Sequence, residues 1–192
     1  MLKLTLGLTP MIIASAFFSS AVNAQAQEPG WMLSAHIANS SIDTTERWQD
    51  GGYVIIDDDG TNWGLGLNYR LWPGLSLRTT YERGSGYNSA GQPSCPDICT
   101  PQTRLHSGSL NHYSITAIPE FAFTTNLIGF ASFGVARTEI ETHADLPDYS
   151  ETDLTYGLGV GYQVTPSIFV STEYQTTGSE YASLRVSVGY RF

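Results

Sequence analysis

His112 and Ser114 are the pair of side chains in this 192-residue sequence whose types and spacing suggest catalysis. In such a pair the imidazole acts as a general base and the hydroxyl as a nucleophile, which is the chemistry of an esterase. A third group usually orients the base, but no carboxylate follows at a suitable spacing, and the nearest is Glu120. The sequence therefore favours a buried histidine in a structural role over an esterase.

Acidic side chains dominate the charge, with 18 Asp and Glu against 9 Lys and Arg and a net charge of −9. This balance argues against nucleic acid as a partner, because phosphate neutralisation requires Lys and Arg. Residues 57–60 (DDDG) superficially match a calcium-binding loop but lack its later glutamate. Residues 139–153 carry six further carboxylates. These segments are either a solvated surface or places where divalent cations bridge carboxylates to other anions.

The first 24 residues have the pattern of a signal peptide. Lys3 precedes an apolar run of about 15 residues, which is shorter than the roughly 20 residues of a membrane-spanning helix. The run is followed by Val22-Asn23-Ala24, with small residues at the two positions that signal peptidase reads. We expect export and cleavage after Ala24, with residues 25–192 forming one domain.

The two cysteines, Cys95 and Cys99, are separated by three residues in a proline-flanked segment. Two cysteines in an exported chain favour a disulfide, here one that closes a small ring and pins a loop. The alternatives are free thiols or a metal pair, but a zinc site needs about four ligands and only His106 is near. Nothing in the sequence argues for a cofactor.

The mature chain alternates between two kinds of residue. In residues 153–164, Leu154, Tyr156 and Leu158 alternate with glycines and small polar residues. This is typical of a strand whose large side chains face lipid and whose small ones face the inside of a narrow barrel. Eight segments of about the nine to eleven residues that cross a bilayer follow the pattern: 31–39, 62–70, 75–82, 110–118, 127–136, 153–164, 168–175 and 183–192.

The connections between these segments alternate in length. Long ones (40–61, 83–109 and 137–152) alternate with shorter ones (72–74, 119–126 and 165–167), and 176–180 is of modest length. Outer-membrane barrels combine short periplasmic turns with longer external loops. We therefore predict an all-β fold, a closed eight-stranded antiparallel transmembrane β-barrel with up-and-down topology. Two aromatic girdles are expected, a periplasmic one of Trp31, Tyr69, Trp72, Phe123, Tyr162, Tyr190 and Phe192 and an external one of Trp63, Tyr81, Tyr156 and Tyr174.

Four charged residues fall on the inward-facing positions of this pattern: Arg78, Glu82, Glu173 and Arg185. Because burying an uncompensated charge is costly, they are expected to form ion pairs, with Glu173 and Arg185 pairing across adjacent strands. Such a group could gate an ion path, but eight strands leave little room beyond the side chains themselves. We therefore expect a plug of ion pairs.

The C-terminal Ser187-Val188-Gly189-Tyr190-Arg191-Phe192 resembles the assembly signal of bacterial outer-membrane proteins, with Tyr190 and Phe192 as its aromatic residues. The mature chain as a whole resembles the OmpA-type small barrels, and its Tyr-Arg ending is similar to the Ail/Lom barrels. The resemblance implies a Gram-negative outer membrane and insertion by the barrel-assembly machinery. Outer-membrane lipid and lipopolysaccharide are then the expected partners. Any divalent cations at the acidic segments would bridge their carboxylates to lipopolysaccharide phosphates.

The function expected from these observations is a non-enzymatic membrane barrel with a structural or surface-interaction role and at most narrow pore activity. The alternative is a lipid A-modifying esterase, because His112-Tyr113-Ser114 is similar to the His-X-Ser arrangement of lipid A deacylase barrels. The alternation places both side chains inside the barrel, away from lipid, and this argues against the enzyme. Loop sequence identifies neither an extracellular partner nor a solute.

Overall fold

The computed structural model of the chain describes residues 30–47, 53–92, 104–141 and 148–192. Each strand in these ranges pairs antiparallel with the next, and β8 pairs with β1, so the sheet closes into a barrel. This confirms the predicted fold class. The strands are β1 Trp31–Arg47, β2 Tyr53–Trp72, β3 Leu75–Gln92, β4 Arg104–Ala122, β5 Leu127–Glu141, β6 Tyr149–Gln163, β7 Ile168–Thr177 and β8 Tyr181–Arg191.

Tight turns join the strands at one end of the barrel, at residues 73–74, 123–126 and 164–167. We call this the turn end and the opposite one the loop end. The signal-peptide prediction concerns residues 1–24, which lie outside the described residues. Among the described residues, no helix is long and apolar enough to cross a membrane.

The alternation of side chains follows the predicted phase. On β6, Leu158 faces outward and is 69% exposed to the surroundings. Its neighbours Gly159 and Gly161 face inward, where a Cβ atom would lie 2.3 Å from the ring of Phe130 and 2.0 Å from that of Phe169. The inward glycines of β6 therefore make room for aromatic rings that fill the barrel.

Six of the strands, β1 to β6, are longer than the nine to eleven residues that a membrane span needs. The segments expected as long loops at residues 40–61, 83–109 and 137–152 are largely strand, and β2 alone has 20 residues. The acidic residues 57–59 therefore lie on β2 rather than in a loop. The strands continue to pair in this region although their outward side chains become polar. The reason is that every second residue still faces inward and is buried, as Ile42, Ile56 and Leu110 are.

A second core forms inside this extension. It comprises Ile42, Ile56, Leu110, Ile140 and Tyr149, which we call the apolar cap, and it packs against Tyr87 and Tyr181. The cap residues are at most 7% exposed. The extension is thus a filled continuation of the barrel wall by β1 to β6 rather than a set of loops, because β7 and β8 end below it.

Candidate functional site

The four predicted charged residues meet inside the barrel, in what we call the charge layer. Arg78 Nη2 lies 2.6 Å from Glu173 Oε1, and Arg185 Nε forms an ion pair with Glu82 Oε1. Glu173 and Arg185 are directly opposite each other on β7 and β8, as expected, but the structure pairs them differently. Arginine is long enough to reach across the interior, so each guanidinium contacts a carboxylate from another part of the wall.

Glu82 lies at the centre of the charge layer and is fully buried. Besides Arg185, its carboxylate contacts His36 Nε2 at 3.2 Å and accepts a 2.7 Å hydrogen bond from the Tyr181 hydroxyl. His36 fits because it lies over Gly64, where a Cβ atom would be 2.3 Å from Nε2. Burial of this carboxylate is therefore compensated by three partners on two other strands, β1 and β8.

Arg185 is only 2% exposed and is anchored on its other side as well. It donates through Nη1 to Gln175 Oε1, and Gln175 in turn donates to Thr155 Oγ1. Thr177 also donates to Thr155, at 2.9 Å. The chain of contacts from β1 through β3, β8 and β7 to β6 spans the barrel.

A second polar layer lies next to the charge layer on the side of the loop end. Tyr87 OH donates to Asn62 Oδ1 at 2.7 Å, and Asn62 Nδ2 donates to Ser40 Oγ at 2.7 Å. Gly84 leaves space for Asn62, because a Cβ there would fall 1.8 Å from Oδ1. We call Ser40, Asn62, Tyr87 and Tyr181 the tyrosine layer, which links the charge layer to the apolar cap.

His112 and Ser114 both face the interior and are buried, as the alternation predicted. The His112 ring stacks on Tyr181 with centroids 4.4 Å apart, and its Nδ1 is 3.0 Å from Thr138 Oγ1. Ser114 Oγ instead lies 2.5 Å from Thr80 Oγ1. Among the described residues His112 Nε2 has no hydrogen-bond partner, so the structure does not join the two residues as base and nucleophile.

The sequence of this barrel matches a known protein family. The family model for the outer membrane protein beta-barrel domain matches residues 11–192. The chain belongs to this family. No curated protein matches the sequence significantly.

Solved structures of other outer-membrane barrels have the same fold. Ail of Yersinia pestis, solved with the heparin analogue sucrose octasulfate, is 18% identical with a TM-score of 0.57, covering 86% of this chain and 100% of that one. Neisserial surface protein A is 16% identical with a TM-score of 0.57, covering 84% and 97%. OprG of Pseudomonas aeruginosa is 12% identical with a TM-score of 0.58, covering 86% and 97%. At these identities the likeness concerns the fold alone.

In an outer-membrane barrel the turn end faces the periplasm and the loop end the exterior. At the periplasmic end Arg70 pairs with Glu120 at 2.7 Å, and Ser76 donates to the same carboxylate at 2.9 Å. A cavity of about 630 Å³ opens there, lined in part by Phe169 and Arg191. The interior of this outer-membrane barrel is thus hollow at its periplasmic mouth and filled from the charge layer outward.

At the extracellular end of the outer-membrane barrel, Tyr149 on β6 contacts Glu151 and also Glu180 in the turn before β8. Burial, followed by these two carboxylates, raises the pKa of Tyr149. The phenol therefore stays protonated and ties β6 to the β7–β8 turn. Within the described ranges no three His, Cys, Asp or Glu side chains are placed to hold a metal ion.

The residues of the predicted disulfide and of the predicted assembly signal lie away from the barrel interior or outside the described residues. Cys95 and Cys99 lie outside the described residues, so their disulfide stays a prediction. Tyr190 and Phe192 face outward, 57% and 69% exposed, and Phe192 N donates to Trp31 O at 3.0 Å. The aromatic residues of the predicted assembly signal thus lie at the seam where this outer-membrane barrel closes.

His36 was not predicted as a site residue, although it shares the inward face of β1 with Ser34 and Ala38. Tyr113 was not predicted as a member of the external aromatic girdle. It faces outward and packs beside Tyr81, with ring centroids 5.1 Å apart. The alternation of inward and outward positions along β1 and β4 could have identified both residues.

Proposed function

We propose that this chain is a closed, non-enzymatic outer-membrane barrel with a structural and surface-interaction role. The observation that carries the proposal is the filled interior. The charge layer, the tyrosine layer and the apolar cap follow one another along the barrel, and their central side chains, such as Glu82, Arg185 and Ile56, are at most 2% exposed. Eight strands enclose only enough space for such side chains, whereas aqueous channels need about 16 strands.

Liposome swelling tests this closure. Proteoliposomes that contain the purified barrel are diluted into sugars of increasing size, with empty liposomes and a general porin as controls. We expect swelling no faster than in empty liposomes. Swelling in the smallest sugars at the rate of the porin would contradict the proposal.

The lipid A esterase is disfavoured by the surroundings of its proposed pair. His112 stacks on Tyr181 and Ser114 contacts Thr80, both inside the barrel, whereas the acyl chains of lipid A lie outside it. A nucleophile needs its base within hydrogen-bond reach and the substrate bond close to both. We expect the lipid A mass spectrum of the host to be unchanged when the gene is deleted, and loss of a deacylated species would favour the enzyme.

The surface role is supported by the extension of the strands. β2 has 20 residues against the nine to eleven that cross the bilayer. About ten extra residues on a tilted strand extend roughly 25 Å beyond the membrane. Carboxylates such as Asp59 and Glu141 face outward there. This charge favours a cationic partner rather than a polysulfated one such as the ligand solved with Ail.

Export and processing belong to the same proposal. We propose that residues 1–24 are a cleaved signal peptide and that the barrel-assembly machinery inserts the mature chain. N-terminal sequencing of the protein from outer membranes should begin at Gln25, and an intact Met1 would contradict cleavage.

A further inference from the structure

Two arginines face outward at the extracellular edge of the apolar band. The full sequence has eight arginines and one lysine, Lys3. Arg83 and Arg137 are exposed on the outer face of β3 and β5. Among the residues whose side chains the structure describes, the remaining arginines lie in the interior or at its periplasmic mouth: Arg70, Arg78, Arg185 and Arg191.

The register places these two arginines on the same side of the barrel. Arg83 is the partner of Asn111, and Arg137 is the partner of Tyr113, both on β4 between them. Two strand spacings and a two-residue offset put their Cα atoms about 12 Å apart. Their guanidinium groups can therefore reach one ligand that spans β4.

Neighbouring side chains fix the depth of the pair at the lipid–water boundary. Below Arg137, Val135 and Phe133 are outward-facing and about half exposed, as lipid-facing side chains are. Tyr81 and Tyr113 pack together between the arginines, and Trp63 is the β2 partner of Arg83. Aromatic side chains of this kind lie at the headgroup level of a membrane.

The chemistry of the pair suits phosphate. Arg137 uses Nε for a 2.6 Å contact with Glu139 Oε1, and its side chain is still 54% exposed. Arg83 is exposed and forms no ion pair with another described residue. Guanidinium groups bind phosphate oxygens in pairs of hydrogen bonds, and more strongly than neutral donors do.

We infer that Arg83 and Arg137 bind the phosphate groups of the phosphorylated glycolipid of the outer leaflet, lipopolysaccharide. Its lipid A moiety carries a phosphate on each sugar of its disaccharide, which suits two cations separated by one strand. The inference goes beyond the proposed function, because it concerns the lipid-facing surface and holds whether or not the interior conducts.

Binding of purified lipid A to the folded barrel in detergent tests the inference. Native mass spectrometry would count bound lipid for the wild type, Arg83→Gln, Arg137→Gln and the double variant. Arg104→Gln is the matched control, because it removes one positive charge at the far extracellular start of β4. Heat-modifiable migration would verify that each variant is folded.

We expect about a fivefold loss of lipid A affinity for each substitution and about 25-fold for both, with little change in Arg104→Gln. Dephosphorylated lipid A should bind the wild type as weakly as lipid A binds the double variant. Equal lipid A affinity for the wild type and the double variant would overturn the inference. So would phosphatidylglycerol binding with the same affinity and the same dependence on both arginines, because the site would then select any anionic lipid.

Discussion

Replacing Arg185 by methionine tests the energetic role of the charge layer most sharply. Methionine keeps much of the apolar volume but removes the cation, so Glu82 loses its ion pair while it stays completely buried. His36 and Tyr181 still contact the carboxylate, which limits the cost. The substitution therefore leaves a buried charge without its main partner, and it also removes the donor to Gln175 Oε1.

The expected loss follows from the burial of both partners. Breaking a buried ion pair by removing one member costs about 3–5 kcal/mol, and we expect the lower end, about 3 kcal/mol, because His36 and Tyr181 still contact Glu82. The free energy of unfolding would be measured in lipid vesicles by urea titration, followed through tryptophan fluorescence and heat-modifiable migration.

Two further variants serve as controls for this measurement. Adding Glu82→Gln should recover most of the loss, since the buried charge is then removed. Arg70→Met breaks the partly exposed pair with Glu120 at the periplasmic mouth and should cost only about 1 kcal/mol. A loss below about 1 kcal/mol in Arg185→Met, or no recovery in the double variant, would refute the reasoning.

Three further predictions concern assembly, packing and pH. Deleting Phe192 should lower the amount of heat-modifiable barrel in the membrane and raise protease-sensitive periplasmic chain, and normal membrane levels would argue against the assembly signal. Gly159→Ala places a methyl group 2.3 Å from the Phe130 ring and should cost about 1–3 kcal/mol in urea unfolding, whereas Phe130→Leu should relieve part of that cost. Because the folded state raises the pKa of Tyr149, its contribution to stability is complete below about pH 10 and is lost as the pH rises further. Wild-type stability should therefore fall more steeply above about pH 10 than that of Tyr149→Phe. Identical pH profiles would contradict this account of Tyr149.

The phase of strands such as β6 was predictable because alternation is a local property, whereas that of residues 127–136 was ambiguous. Leu158 and Gly159 take opposite faces in whichever strand of a barrel they lie. The length of the strands was not predictable in the same way. Beyond the membrane the outward residues are polar. The signal for pairing lies in widely separated inward residues such as Ile42 on β1 and Leu110 on β4, which are on non-adjacent strands and pack in one cluster inside the barrel.

The members of the charge layer were predictable, but their pairing was not. The alternation along each strand places Arg78, Glu82, Glu173 and Arg185 in the interior. Because β7 and β8 are adjacent, the sequence suggested that Glu173 pairs with Arg185. Which carboxylate an arginine reaches across the interior depends on the stagger of all eight strands. The role of His36 was hidden for the same reason, because its partner Glu82 is 46 residues away in sequence.

Single-channel recording in a planar lipid bilayer tests the central claim, closure of the barrel interior, most directly. With Glu82 and Arg185 paired and the apolar cap intact, the wild-type barrel should give no stable open level, only brief small events as the ion pairs rearrange. A stable, large conductance from wild-type monomers would contradict a filled interior and identify the barrel as an open channel.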